Sequence, residues 1–294
     1  FTDKSIGSSI TAFARSNVKS IISTLTEEGD SIIYSDTDSI FVQSPAEELN
    51  GSVEYGRKLA ERFSKEEETL VFEKILEPLF THGKKKRYVG RVVWPKWEDE
   101  LLVRGYEIRR SDSFNLQSDL LMDLFEKILE EKNEEAVAVV RETIRTVMSG
   151  MVPASDLVIS RTCKGLDAYQ NPDSMANVQA AGKMVKMGYD FIPGMKVSWI
   201  VTDSKTTPQT VEPYISGKEF EHMPDYKYYA ERLASTASRV TEVFGWDEKD
   251  LLMGSQQATL FDGGFDSPPR KEEKLEVPPK KKAETRGSKL SDFF

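Results

Sequence analysis

The stretch "IIYSDTDSIFV", residues 32–42, places two aspartates between two short apolar runs. Such a pattern predicts two short strands joined by a tight turn, with "SDTD" as the turn. Period-two alternation puts the side chains of Asp36 and Asp38 on the same side of the chain, about 7 Å apart along an ideal strand. Because two carboxylates so close together repel and raise each other's pKa, this placement needs a physical reason.

A divalent cation would remove this repulsion. Carboxylate oxygens suit Mg²⁺, which takes one or two protein carboxylates together with phosphate oxygens and water. Two such ions about 3.5–4 Å apart can stabilise the attacking and leaving oxygens of a phosphoryl transfer. The alternative is an ordinary turn, since Asp and Ser are common turn residues. The three residues Asp-Thr-Asp alone favour the turn.

Composition limits the kind of protein. The chain has 294 residues, of which 38% are hydrophobic, enough for two domains with their own cores. We find neither a long apolar run nor a secretory signal, so no membrane is expected. A lone cysteine, Cys163, fits the reducing cytosol and predicts a buried thiol and a cytoplasmic location. His82 and His222 stand too far apart in sequence for an obvious metal or nucleophile site.

Basic residues are concentrated even though the net charge is −9. Residues 78–97 contain no acid, and "GKKKRYVGR" at 83–91 is strongly basic. A second basic cluster lies in "VRGYEIRR", residues 103–110. Segregated positive charge predicts a surface for nucleic-acid phosphates. A solvated basic loop is the alternative, and a nuclear-localisation signal is a weaker one.

Hydrophobic periodicity predicts five helices. They cover residues 8–25, with Ser8 or Ser9 as N-cap, and 53–66, 133–150, 174–188 and 224–245. The segment 70–94 reads as strand and loop, and 196–204 as a strand, with generally helical character after about Arg91. Beyond residue 252 the chain is rich in Gly, Pro and charge, which predicts a flexible tail.

The carboxylate stretch lies in a frame that resembles motif C (YxDTDS) of the family B DNA polymerases, the palm-domain hairpin that holds catalytic metal. Two basic segments resemble the family's KKxY segment and the following RGxExxRRD stretch. Segments 192–201 and 225–246 are similar to the thumb of archaeal-type members, in the same order. The matching residues are, for motif C, Tyr34, Ser35, Asp36, Thr37, Asp38 and Ser39; for KKxY, Lys85, Lys86, Arg87 and Tyr88; and for the last, Arg104, Gly105, Glu107, Arg110 and Asp112, with Ser111 departing from the pattern and Arg109 standing in.

The resemblance covers about residues 1–252 and implies an α+β fold. The C-terminal part of a palm, with antiparallel strands, would occupy 1–91, a mainly helical thumb 92–252 and a flexible tail 253–294. Motif A (DxxSLYP), motif B (KxxxNSxYG) and the exonuclease motifs do not occur in this sequence. It therefore resembles the small subunit of a divided archaeal polymerase, although a truncated piece of a longer enzyme beginning at Phe1 fits equally well.

The function implied is DNA-directed nucleotidyl transfer in replication, with primer–template DNA and a deoxynucleoside triphosphate as substrates. Asp38 would bridge two Mg²⁺ ions together with an aspartate of motif A, and Asp36 would be the second carboxylate. The partner would be an N-terminal polymerase portion carrying motifs A and B. A non-catalytic accessory module that binds DNA or a replication partner is the alternative.

The resemblance also implies which residues contact DNA. Lys85, Lys86 and Arg87 would neutralise phosphates without reading sequence. Tyr88 would stack or hydrogen-bond in the minor groove. For Arg104, Arg109 and Arg110, contacts to the duplex and palm–thumb salt bridges remain equally open.

The end of the chain, "RGSKLSDFF", resembles the sliding-clamp-binding box QxxLxxFF, with Gly287 at the glutamine position. Leu290, Phe293 and Phe294 would enter a groove on the clamp. A weaker candidate is "QQATLF" at 256–261, and the alternative is an incidental apolar terminus.

Overall fold

The computed structural model describes residues 3–65, 69–84, 86–96, 100–106, 108 and 113–253. Within these ranges the chain forms two compact units, one ending at Arg104 and the other beginning at Gly105. Both combine helices with antiparallel sheets, which confirms the predicted α+β class. The assignment of palm, thumb and tail to 1–91, 92–252 and 253–294 stays a prediction. None of the helices in these ranges is long and apolar enough to cross a membrane.

In its described residues, the first unit holds two helices and two antiparallel sheets. Strands β1 and β2 pair with each other, and β3, β4 and β5 form the second sheet in that order. Their bounds are α1 Lys4–Glu28, β1 Ile32–Asp36, β2 Ser39–Val42, α2 Leu49–Phe63, β3 Ile75–Thr81, β4 Tyr88–Trp94 and β5 Leu101–Arg104.

Helix α1 begins earlier than predicted. Its N-cap is Asp3, whose carboxylate accepts hydrogen bonds from the amides of Ser5 and Ile6. The expected cap at Ser8 or Ser9 is therefore wrong, because the acidic cap further upstream already satisfies free amides of the first turn. Gly29, at φ 93°, ends the helix in the left-handed conformation that glycine adopts without strain.

Two side-chain contacts tie the end of α1 and the residues that follow it to α2. The Arg62 guanidinium forms a bidentate pair with the Glu28 carboxylate. Nearby, the Tyr55 hydroxyl donates to Asp30 over 2.7 Å. Together with the buried side chains Val18, Ile22 and Leu25 of α1, these contacts fix the chain just before the β1–β2 hairpin begins.

The second unit places helices around a three-stranded sheet of order β6-β7-β8. Helix α4 packs against α3 and α6, and α5 packs against β7 and β8. The bounds are α3 Asn115–Leu129, α4 Asn133–Met148, β6 Ile159–Thr162, α5 Ala176–Lys186, β7 Lys196–Asp203, β8 Thr210–Pro213 and α6 Tyr226–Thr241.

The predicted helices near 133–150, 174–188 and 224–245 and the strand near 196–204 are confirmed, each with shorter bounds. Helical character directly after Arg91 is wrong. Strand β4 continues to Trp94 and is followed by β5, because Val92 and Leu102 are buried in the sheet. Cys163 is a free, buried thiol, as predicted, and burial raises its pKa.

Tyr229 fastens α6 to β7 in the second unit. Its buried hydroxyl accepts a hydrogen bond from the Val201 amide over 2.9 Å. At the start of the same helix, the Asp225 carboxylate accepts from the amides of Ser204 and Tyr228. The cap and the tyrosine therefore attach one helix end to the sheet at two points.

Candidate functional site

The carboxylate hairpin has a shorter turn than the sequence predicts. Asp36 pairs with Ser39 in the register of β1 and β2, so only Thr37 and Asp38 lie between the strands. The Asp38 amide donates to the Asp36 carbonyl over 2.6 Å. This bond spans only two residues and keeps Asp36 and Asp38 close together at the tip of the hairpin.

Thr37 takes an unusual conformation at that tip. Its φ is 53°, in the left-handed region that β-branched residues rarely enter. A backbone conformation of this kind costs on the order of 1–3 kcal/mol and is concentrated at functional sites. The turn therefore carries local strain between the two carboxylates.

The carboxylates themselves differ in surroundings. The Asp36 side chain is 28% exposed and accepts a hydrogen bond from the Thr37 hydroxyl over 3.1 Å. Asp38 is exposed, and the Ser39 hydroxyl lies 3.5 Å from its carboxylate. One carboxylate is thus held in place, while the other has oxygens open to solvent.

The described residues 83, 84, 86 and 87 of the predicted basic segment lie in the loop of the β3–β4 hairpin, and Thr81 and Tyr88 form the paired position at the ends of this loop. Lys86 has a left-handed φ of 64°, and its amide donates to the Tyr34 hydroxyl over 2.6 Å. Its ammonium lies 3.9 Å from Asp36. The basic loop and the carboxylate hairpin are therefore joined through one residue.

Three aromatic rings pack beneath this joint. Tyr34, Phe41 and Tyr88 contact one another with ring centroids 5.0–5.6 Å apart. Tyr34 is only 5% exposed. Burial raises the pKa of both Tyr34 and Tyr88, and the Asp36 charge adds to the rise. Both phenols consequently keep their protons at neutral pH, so each retains a hydroxyl able to donate and accept.

Arg104 also lies in this cluster. It stands directly opposite Tyr88 in the register of β4 and β5, and its positive charge opposes the rise that burial causes in the pKa of Tyr88. Because Arg104 is exposed, its charge borders the loop formed by the basic segment. The structure thus brings together five of the predicted site residues: Asp36, Lys86, Arg87, Tyr88 and Arg104, with Asp38 at the adjoining tip.

The remaining predicted site residues lie outside the described residues: Lys85, Arg109, Arg110, Leu290, Phe293 and Phe294. Sequence reasoning did not find the role of Phe41 or the bond from Tyr34 to the loop. The aromatic positions at either end of the motif are the only signal in the sequence that pointed to such packing.

Asp36 and Asp38 have the chemistry that a hard divalent cation prefers, since both offer carboxylate oxygens at a solvent-accessible tip. No group of three or more His, Cys, Asp or Glu side chains in the described part of the chain could hold a metal ion. Two carboxylates are thus what these residues offer, and Mg²⁺ fits them with its remaining ligands drawn from elsewhere.

Comparisons with known proteins point in one direction. A family model described as DNA polymerase family B matches residues 4–244. The chain is 31% identical over 263 residues to DNA polymerase 2 of Aeropyrum pernix, covering 86% of this chain and 30% of that protein. It is also 31% identical to the DNA polymerase delta catalytic subunit of Drosophila melanogaster, covering 78% of this chain and 22% of that protein.

Solved structures agree. The family B DNA polymerase of Pyrobaculum calidifontis matches with a TM-score of 0.58 and 25% identity, over 82% of this chain and 30% of that chain. The chain therefore spans less than a third of the length of these relatives.

Proposed function

The chain belongs to the family B DNA polymerases, and from this we propose that it supplies the motif C carboxylates and part of the duplex-binding surface of a DNA polymerase acting in replication. The reaction would join a deoxynucleotide to the primer 3′-hydroxyl, with pyrophosphate as the leaving group. The observation that best supports the proposal is the contact between the basic loop and the carboxylate hairpin at Lys86. The Lys86 amide donates a hydrogen bond to the Tyr34 hydroxyl, and the Lys86 ammonium lies 3.9 Å from Asp36.

The carboxylates would hold Mg²⁺, in keeping with the general use of divalent metals in this family. Asp38 would be the ligand shared by two ions with an aspartate of motif A, and Asp36 the second carboxylate. When bound, the ions would stabilise charge developing on the attacking and leaving oxygens. The Lys86 ammonium, 3.9 Å from Asp36, would partly offset the repulsion between the carboxylates.

The basic loop would contact the duplex near the primer end. Lys85, Lys86 and Arg87 would neutralise phosphates, which suits an enzyme that must accept every sequence. Tyr88 would reach the minor groove, and the pairing of Tyr88 with Arg104 in the register of β4 and β5 supports a shared role for the two side chains. Arg109 and Arg110 would extend the same basic surface.

Two further partners complete the proposal. Motifs A and B are absent from the sequence, so a polymerase portion carrying them would complete the site. Leu290, Phe293 and Phe294 would bind the sliding clamp, a proposal supported by the sequence of the tail alone.

Primer extension tests the function. We expect the purified chain alone to be inactive in Mg²⁺, and active when mixed with a polypeptide from the same source that carries motifs A and B. Asp38→Asn should abolish extension while leaving DNA affinity unchanged, because it removes a metal ligand and not a duplex contact. Glu47→Gln, the same charge change at an exposed position of the first unit, is the matched control.

Two results would contradict the proposal. Near-normal turnover by Asp38→Asn would exclude the metal-ligand role. DNA binding by the mixture without any extension would favour the non-catalytic accessory module instead.

A further inference from the structure

The first half of α1 is exposed on every side. All residues from 3 to 13 are exposed, whereas Val18, Ile22 and Leu25 in the second half are buried. Three large apolar side chains lie in the exposed half: Ile6, Ile10 and Phe13, which are 59%, 64% and 61% exposed. Their spacing of four and three residues puts them on one face of the helix.

This exposed apolar face is not a continuation of the buried one. At 100° per residue, the centre of Ile6, Ile10 and Phe13 lies roughly 120° around the helix from the centre of Val18, Ile22 and Leu25. Helix α1 thus has two apolar faces in different directions. The face of Val18, Ile22 and Leu25 packs within the first unit. The face of Ile6, Ile10 and Phe13 has no described residue against it.

A helix end of this kind needs a neighbour. About three turns of helix without tertiary packing are marginal in water, because most helical stability in proteins comes from packing of an apolar face. No acidic residue occurs between Lys4 and Thr26, and the N-cap Asp3 is the acid at the N-terminal edge of the face. A fitting partner surface is therefore apolar at its centre.

We propose that Ile6, Ile10 and Phe13 form the docking face for the polymerase portion that carries motifs A and B. This rests on the proposed function, and three observations support it. The family match begins at residue 4, so the exposed half of α1 belongs to the shared polymerase fold. The relatives are more than three times as long as the part matched here. Motifs A and B are also absent from this sequence.

A second copy of this chain is the other occupant that the face could take. A stable interface takes about 20–30 residues on each side, so whichever partner covers these three side chains must also contact other parts of the first unit. The part of the relatives that lies outside the matched region is large enough to supply such a partner.

A charge placed on the face tests the inference. Ile10→Asp puts a carboxylate at the centre of the proposed interface. Ser8→Asp adds the same charge to an exposed position about 200° around the helix and serves as the matched control. The probe is the purified polypeptide carrying motifs A and B, titrated into the full chain by calorimetry. We expect Ile10→Asp to weaken binding at least tenfold and Ser8→Asp to change it less than twofold.

Circular dichroism and a urea titration of each variant establish that it is folded. Primer extension across a range of partner concentrations is the second readout. For Ile10→Asp, we expect activity to recover when the partner concentration is raised, because the site itself is intact.

The outcomes separate the two proposals. Unchanged binding by folded Ile10→Asp would overturn the docking face, whether or not the mixture extends primer. Loss of binding by Ile10→Asp, with no extension even by the wild-type mixture, would uphold the face and refute the proposed function. If sedimentation showed that the chain dimerises and that Ile10→Asp abolishes only this dimer, the face would belong to a second copy and the inference would be wrong.

Discussion

Replacing Tyr34 by Phe would remove one oxygen atom, and with it the acceptor of the Lys86 amide. The ring would stay in the cluster with Phe41 and Tyr88, so packing is preserved. We expect the variant to fold and to lose the fixed position of the basic loop relative to the hairpin. Affinity for primer–template DNA should therefore fall.

The size of this effect follows from the hydrogen bond that the substitution removes. A hydrogen bond of this kind contributes about 0.5–1.5 kcal/mol net, and an amide left without an acceptor in a part-buried place costs about 1–3 kcal/mol. If DNA binding must return the loop to its original position at a cost of about 0.5–1.5 kcal/mol, the dissociation constant for DNA should rise about 2- to 10-fold. The free energy of unfolding should fall by about 1 kcal/mol.

Tyr55→Phe is the matched control, since its hydroxyl donates to Asp30 and makes no contact with Lys86 among the bonds described. It should lower stability by a similar amount and leave DNA affinity unchanged. Fluorescence anisotropy with a labelled primer–template, in the presence of the polypeptide carrying motifs A and B, measures the difference. Equal DNA affinities for wild type, Tyr34→Phe and Tyr55→Phe would refute the reasoning.

Three other predictions follow from charges and the tail. Changing residues 85–87 together to Ala should reduce the salt dependence of DNA binding by roughly 0.9 in logarithmic slope for each phosphate that the loop no longer neutralises; an unchanged slope would indicate a solvated loop. Burial raises the pKa of Asp225, but hydrogen bonds, chiefly from Ser204, lower it below 3.8 on balance, so its stabilisation is present above about pH 4 and lost on further acidification. Asp225→Asn should remove that part of the acid dependence of the urea unfolding midpoint. Identical midpoints for wild type and Asp225→Asn at each pH from 5 to 2 would contradict the prediction. Phe293→Ala with Phe294→Ala should abolish clamp binding in calorimetry without affecting extension of a short primer; retained clamp binding would exclude the tail.

Local patterns in the sequence predicted the hairpin well. Apolar runs on either side of the aspartates and the turn residues between them are short-range signals, and β1 and β2 follow them closely. The turn is two residues shorter than predicted, because Asp36 keeps its strand pairing with Ser39. Periodicity likewise predicted α1, but not its two faces, because Ile10 and Phe13 lie on a different side of the helix from the buried residues of its second half.

The joint between hairpin and loop could not be predicted in this way. Tyr34 and Lys86 are 52 positions apart, and the acceptor is a side chain whose partner is a backbone amide. No spacing rule describes such a pair. Strand β5 was not predicted for a related reason. Its four residues are stabilised by pairing with β4 and show no strand pattern of their own.

The amide of Lys86 differs from others in an exposed loop. Amides open to water exchange their hydrogen for deuterium quickly, whereas one held by a buried phenol exchanges only when the hydrogen bond opens. The hydrogen–deuterium exchange rate of the Lys86 amide therefore reports how often the loop separates from the hairpin. Any binding event that holds the two together would lengthen the lifetime of that hydrogen, so Lys86 is a built-in reporter for closure of the site.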